Sequence, residues 1–452
     1  MKKYIKFLLI LVPVICGIFI FNSCKQADTT VTPIVTSSNW VKMYGGGLSD
    51  IITSVQTVPS GGFIAAGYTV SFGQGLNEVY IVRINSDGGV QWSKSYGTTQ
   101  NDETAQIQAL SDGTFIVAGR TSSASLPNYD VFAMKLDANG NLLWNKIYKW
   151  SGNVVTSGVQ QTSDNGFVIA GTSGFSPGQT DAFVLKIDGS GAAQWLKSYG
   201  GPFNDICTSI KKTSDNGFII CGSSFSGGFP DGDGFLEKLY ADGSMAWTNF
   251  YGGNDGYDQF NDVYQNTDGG YIAAGVTYAF GLTTGDIMIL RTDAGGVVAP
   301  GWPRTLGDSS LGLDMANSVV QADDGSFTLT GYRTNGSSTD IVVSNYFGDA
   351  TYNWTKVYGG SGSDKGITIV KNSGKYVLGG ISSSANNDMY ILNLKPDGTC
   401  CSGTKPFTPV GGSPTVTNVP GSFSSASFTP TVIDGHFTAA NAATIVTAQC
   451  SE

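Results

Sequence analysis

Apolar and polar residues alternate along most of the chain in runs too short for helices. Asp181-Ala-Phe-Val-Leu-Lys-Ile187 is one such run, and Gln194-Trp-Leu-Lys-Ser-Tyr199 is the next, with Asp188-Gly-Ser-Gly191 between them. A period of two, rich in Val, Ile, Phe and Tyr and punctuated by Asp-Gly, Asn-Gly and Gly-Gly, predicts antiparallel strands joined by tight hairpins. The unit then repeats. Trp anchors stand at 40, 92, 144, 195, 247, 302 and 354. After each comes an aromatic residue (Phe63, Phe115, Phe167, Phe218, Tyr271, Phe327, Tyr376), with a glycine four positions on (Gly67, Gly119, Gly171, Gly222, Gly275, Gly331, Gly380). An acid then opens the next strand: Glu78, Asp130, Asp181, Asp233, Asp286, Asp340 or Asp388.

Each repeat divides into four strands. In the fourth repeat they fall at 208–213, 218–223, 234–239 and 247–251. One twisted sheet of this size cannot bury both its faces, so neighbouring units must supply each other's core. Four-stranded units of about 50 residues, repeated seven times, predict an all-β, seven-bladed β-propeller. The seam is legible too. The strand at 388–395 has no Trp strand after it, and Trp40–Tyr44 has no hairpin before it. The N-terminal strand 40–44 is therefore expected to complete the last blade and close the ring, which removes two free edges. The lysines of the Trp strand (Lys42, Lys94, Lys146, Lys197, Lys356) read as exposed edge charge, and the small-residue-plus-Gly pair as an adaptation to crowding between blades.

Outside the repeats, residues 1–23 form a basic and then apolar leader, too short for a comfortable membrane span, and 24–39 are a Thr/Ser/Pro linker. The propeller is placed at 40–399. The segment 400–452 is rich in Pro, Ser, Thr and Val and carries no repeat; it reads as an extended C-terminal strap.

Charge and cysteines narrow the function. The formal net charge is −10, with one histidine, His436, and no basic run, which disfavours nucleic acid as a partner. Cys221 occupies a slot filled by alanine in most other repeats, and Cys207 lies in an inner strand; both are expected to be buried free thiols. Cys450 is a candidate disulfide partner of Cys400 or Cys401. The acid that opens the third strand recurs once per blade, as a structural role requires, and an Asp–Lys contact across the hairpin is expected. The acidic loops Asp231-Gly-Asp-Gly234 and 254–258 lack EF-hand spacing and read as turn formers. With His436 in the tail, Ser-His-Asp and His-based zinc chemistry lack support. No catalytic residue, metal site or cofactor is expected.

The second and fourth connections of each repeat are longer than the first and third, and they share one face of the ring. They carry Phe72, Phe175, Phe225, Phe229 and Phe280 in the second, and Trp150, Phe203 and Tyr257 in the fourth. Aromatics on long loops stack on sugars or anchor protein partners, and they also fold inward as plugs. These residues are the candidate ligand-binding set.

Two resemblances add to this. Phe21-Asn-Ser-Cys24 resembles the lipobox of bacterial lipoproteins, which implies a signal peptide, lipid attachment at Cys24 and an outer-membrane or other cell-envelope location. Thr267-Asp-Gly-Gly-Tyr-Ile-Ala-Ala-Gly275 and Trp195-Leu-Lys-Ser-Tyr-Gly-Gly201 resemble the repeats of seven-bladed propeller lipoproteins of Bacteroidota-like bacteria. A more distant similarity, carried by Asp137-Ala-Asn-Gly-Asn-Leu-Leu-Trp144 and Cys400-Cys401, is to the Trp-docking quinoprotein propellers. Those are eight-bladed, calcium-dependent enzymes. The expectation is a monomeric, lipid-anchored, non-catalytic binding module for a glycan or envelope protein. The alternatives are a scaffold subunit of an envelope complex and a quinone- or calcium-dependent enzyme.

Overall fold

The computed structural model describes residues 39–400, apart from short stretches at 74–75, 123–127, 151, 177–178, 228–230, 254, 281, 283, 308–311, 361 and 384–387. It also describes the backbone of five strands between 417 and 451. The leader, the linker up to residue 38 and Cys24 lie outside the described residues.

Seven antiparallel sheets make the ring, and among the described residues no α-helix interrupts them. Blades 1 to 6 span 50–97, 102–149, 154–200, 205–252, 258–306 and 315–358. Blade 7 takes three strands from 364–394 and its fourth from Trp40–Gly45, which pairs with Asp388–Leu394 from Trp40↔Asn393 to Tyr44↔Met389. The N-terminal strand therefore closes the ring. In blade 4 the strands are Asp205–Lys212, Phe218–Ser224, Asp233–Leu239 and Met245–Gly252. The inner strand starts three residues earlier than its sequence pattern suggests, because Asp205 is part of it.

The core is not central. It is divided into seven clusters, each lying between two adjacent blades. The repeat signature encodes these boundaries. In five of the seven boundaries the outer-strand Trp meets the second-strand aromatic of the next blade edge-on, as in Trp40 with Phe63 at 6.2 Å, Trp92 with Phe115 at 6.3 Å and Trp302 with Phe327 at 6.0 Å. The same strand then latches onto the next blade's third connection. Trp40 Nε1 donates to Ser86 O at 3.1 Å, Lys42 Nζ to Asp87 O at 2.9 Å, and Tyr44 OH to Gly88 O at 2.9 Å. Residues two apart on a strand share a face, so Trp-x-Lys-x-Tyr delivers three donors to three successive carbonyls. Tyr96, Tyr148, Tyr199 and Tyr251 repeat the last bond, to Gly140, Gly191, Gly243 and Gly296.

The receiving glycine has two reasons to be glycine. Gly243 has φ of +74°, and a Cβ there would stand 2.6 Å from the Trp195 ring. This latch corrects the expected Asp–Lys contact across the hairpin: Lys94 and Lys197 reach Asn141 Oδ1 and Asp242 O of the following blade instead. Replacing Tyr199 by Phe should cost about 1 kcal/mol by leaving Gly243 O without its buried donor. Calorimetry should then show a Tm lower by about 2–4 °C. An unchanged Tm would mean that the latch contributes nothing.

The tail changes the edge argument. Thr417–Gly421, Ser424–Phe428, Thr431–Asp434, Thr438–Asn441 and Ile445–Ser451 pair antiparallel with the outer strands of blades 4, 3, 2, 1 and 7 respectively. The tail thus runs back around the ring and adds a fifth strand to five blades. Among the described residues, the Trp strand is outermost only in blades 5 and 6. Its lysines are therefore not simple edge charges. Blade 5 has the shortest outer strand, Arg304–Leu306, preceded by Pro303, which has no N–H for a ladder.

The glycine four positions past each second-strand aromatic is required for a different reason from the expected one. Every inner strand carries a bulge at the same place, such as Cys207/Ser209 in blade 4. The bulge swings a carbonyl against the second strand of the same blade. A Cβ on Gly222 would stand 1.7 Å from Ile206 O, and one on Gly67 1.7 Å from Ile51 O. The crowding lies within the blade, not between blades.

Cys207 and Cys221 are buried free thiols, and burial pushes the Cys207 pKa up to about 12. The Cys400 thiol is buried and faces Asn393 O at 3.6 Å. Cys401 and the Cys450 side chain lie outside the described residues.

Candidate functional site

Seven bulged inner strands surround a channel, and the bulge aims one residue per blade at its neck: Thr53, Ala105, Ser157, Thr208, Asn261, Asn317 and Ile367. These seven line both of the recesses that the neck joins, of about 410 and 650 Å³. Four of them stitch the neck by donating to the next blade. Ser157 Oγ reaches Cys207 O at 2.5 Å, Thr208 Oγ1 reaches Phe260 O at 2.6 Å, Asn261 Nδ2 reaches Ala316 O at 2.8 Å, and Asn317 Nδ2 reaches Gly366 O at 2.7 Å.

The smaller recess holds a committed charge pair. Asp262 meets Lys211 Nζ at 2.8 Å and accepts from Ser209 Oγ, Ser318 Oγ and Val319 N. All of its capacity is used within the fold.

The larger recess opens on the face of the long connections. Tyr68, Glu103, Arg120, Val155, Thr172 and Ile206 line it. Arg120 grips Glu103 Oε2 with Nε at 2.8 Å and Nη2 at 2.6 Å, while Asn77 Nδ2 holds Oε1 at 2.8 Å. The guanidinium lies 4.5 Å from the centre of the Tyr129 ring. Burial and then Glu103 push the Tyr68 hydroxyl pKa up, so it remains a neutral donor and acceptor. Val155, 48% exposed, adds an apolar wall. On the blade 4–6 side of the same face, Tyr257 OH binds Ser223 Oγ at 2.8 Å and Gln259 Oε1 at 2.5 Å. Tyr332 carries the Lys365 ammonium 4.6 Å from its ring centre. In the wall of the larger recess itself, Tyr68 is the aromatic beside the fixed Glu103–Arg120 pair.

The loop aromatics singled out in the sequence are placed unevenly. Trp150 is 8% exposed, with its ring 4.8 Å from Phe183, so it covers a blade and offers no open face. Phe72 leans on Tyr80 at 5.3 Å, and Phe280 packs against the core between blades 4 and 5. Phe225 stacks on Tyr257 at 5.8 Å. Phe203 is 59% exposed. Phe229 and the Phe175 side chain lie outside the described residues. Sequence reasoning missed the rim residues themselves, Tyr68, Glu103 and Arg120. They sit inside strands, one position past the repeat glycine (Tyr68, Arg120) or one past the inner-strand acid (Glu103), where residue type varies from blade to blade.

A second constellation surrounds the same face. Each inner strand except that of blade 3 has an acid at or just before its start: Asp50, Asp102, Asp205, Asp258, Asp314 and Asp364. Tyr-Gly-Gly-x-x-x-Asp was the signal for it, seen in Tyr199 to Asp205 and Tyr358 to Asp364. This Asp ties down the fourth connection: Asp205 Oδ2 accepts from Gly201 N at 2.7 Å and Ser226 Oγ at 2.9 Å. It also faces the third-strand acid of the preceding blade. At Gly200, a Cβ would stand 2.4 Å from Asp181 Oδ1 and 2.8 Å from Asp205 Oδ2; at Gly252, 2.1 Å from Asp233 Oδ1 and 2.6 Å from Asp258 Oδ2. Burial, and then the neighbouring carboxylate, raises Asp181 to about 6 and Asp388 to about 6. Burial followed by Asp231 raises Asp233 to about 7, and burial outweighs the hydrogen bonds that hold Asp258, leaving it at about 7.

No family model and no curated protein sequence matches this chain. Solved structures do resemble it, at low identity. Sqt1 of Chaetomium thermophilum is 10% identical, over 78% of this chain and 97% of that one, with a TM-score of 0.46. The polysaccharide lyase Uly1 is 12% identical, over 77% and 90%, also with a TM-score of 0.46. A Dyadobacter fermentans protein of unknown function is 12% identical, over 64% and 94%, with a TM-score of 0.40.

Proposed function

We propose that this protein is a lipid-anchored, extracytoplasmic binding module without catalytic activity, and that it takes a glycan at the rim of the larger recess. The observation that carries this is the recess itself. Its volume of about 650 Å³ falls within the 300–1,000 Å³ usual for small-ligand pockets, and its wall combines Tyr68 with the fixed Glu103–Arg120–Asn77 network. Sugars present polar edges and apolar faces, and this wall offers both. The Glu103 carboxylate is held by three donors and Asp262 by five groups, an arrangement that suits orientation better than proton transfer. The anchor rests on Phe21-Asn-Ser-Cys24.

A panel of polysaccharide fragments, tested by calorimetry, checks this. Tyr68→Ala and Arg120→Ala should each weaken binding at least ~10-fold, the effect of losing about 1.4 kcal/mol. Retained affinity in both would remove the rim from the site.

A second possibility has its own support. Leu48, Val70 and Leu76, at 57%, 39% and 62% exposed, stand on the connections of blades 7 and 1 at the same face. A scaffold role would show as a stoichiometric envelope protein captured by wild type and lost on Leu48→Ser with Leu76→Ser.

A further inference from the structure

We propose that the cleft between blades 4 and 5, at Asp233 and Asp258, is a calcium site. In the clefts at Gly45, Gly97, Gly200, Gly252 and Gly359, the missing Cβ of a glycine lies within 3.1 Å of acidic side chains from both neighbouring blades. Between blades 2 and 3 the arrangement differs in two places at once. Lys149 stands where the others have glycine, and Val154 stands where they have the second acid. There the Lys149 ammonium lies 3.1 Å from Asp130 Oδ2. One cleft therefore supplies its own cation to one carboxylate. The five supply two carboxylates and the space of a missing side chain, while at Gly307, between blades 5 and 6, the nearest atoms all belong to Asp286.

The cleft between blades 4 and 5 is the best provided. Asp233 and Asp258 are 1% and 0% exposed, and Asp233 Oδ2 has no hydrogen-bond partner, which is costly for a buried acceptor. Asp258 Oδ2 accepts from the Gly253 amide at 3.2 Å, while its Oδ1, like Asp233 Oδ2, is buried without a hydrogen-bond partner. Asp231 and Asp255 act on the pair from the two loops, and Asp258 N donates to Gly232 O at 3.0 Å, joining those loops. Both acidic stretches noted in the sequence thus meet at one point. Among the described residues no three acidic, His or Cys side chains converge into a ready-made metal cage. Two carboxylates must then be completed by backbone carbonyls and water. An all-oxygen, flexible set with no His or Cys favours calcium over zinc or copper.

Calorimetric titration of the whole protein with calcium chloride at pH 7.5, after chelator treatment, tests this. Binding should appear, and 1 mM calcium should raise the Tm by about 3 °C. Asp233→Asn, nearly the same shape, should abolish the cleft's heat and its share of the Tm shift. Asp130→Asn, at the lysine-filled cleft, should leave both intact. Terbium luminescence sensitised through Tyr257, which packs over Gly232, should be lost in Asp233→Asn alone. Three results would each overturn the proposal. One is a wild type that binds no calcium. Another is an Asp233→Asn protein, folded by circular dichroism, that still binds fully. The third is a Tm that falls between pH 5.5 and 8 and is not restored by calcium, which would mean that the pair shares a proton instead.

Discussion

A chain without residues 39–45 is expected not to form the ring at all. That strand buries Trp40, Val41, Met43 and Tyr44, each at 6% exposure or less, and it joins two of the seven core clusters. At about 1.5–3 kcal/mol per fully buried large side chain, its removal costs roughly 6–12 kcal/mol, which matches the whole stability of a typical domain. The strand also carries the Trp–Lys–Tyr latch to blade 1 and pairs with strands on both sides. Circular dichroism and thermal melting of the truncated protein should show no cooperative transition. A transition within a few degrees of wild type would mean that the ring closes without its seam.

Gly222→Ala should be the most damaging single methyl group that can be added to this protein, together with Gly67→Ala. The new Cβ would stand 1.7 Å from a backbone carbonyl in each case, and the bulge that aims the carbonyl is held by pairings on both sides of it. Neither glycine has a positive φ, so the penalty is steric rather than conformational. Overpacking ordinarily costs 1–3 kcal/mol, and a clash with backbone should exceed that, at roughly 3 kcal/mol or more. Gly380→Ala, with its carbonyl at 2.5 Å, should cost less, and Gly47→Ala, with nothing within 4 Å, should be silent. Denaturant melts of the four variants should rank in that order. Equal losses would show that the bulge relaxes freely.

The repeat was legible because its residues recur at fixed spacing, and the ring and its seam follow from counting them. What those residues touch was not legible. Trp195, Lys197 and Tyr199 lie on one hairpin in sequence, yet Lys197 and Tyr199 spend their donors on residues 242–243 of the next blade. A motif that repeats in every blade fits a contact within a blade and a contact between blades equally well, and spacing cannot separate the two. The tail was harder still. Its strands have no side-chain pattern of their own, because pairing with an exposed ladder is made by backbone groups that every residue except proline carries. The rim of the larger recess was hidden for the opposite reason. Tyr68, Glu103 and Arg120 break the repeat, and a search for recurrence passes over whatever does not recur.

The strand Trp40–Gly45 is flanked by Asp388–Leu394 on one side and Ile445–Ser451 on the other, antiparallel to both. Tension applied at residue 39 along the strand axis therefore loads both ladders in shear. Their hydrogen bonds must yield together rather than one at a time, and the latch from Trp40, Lys42 and Tyr44 onto residues 86–88 resists the same displacement. The first strand of the propeller is in this sense its mechanical clamp. A pull on the polypeptide ahead of it is carried into three neighbouring segments of backbone before any blade has to open.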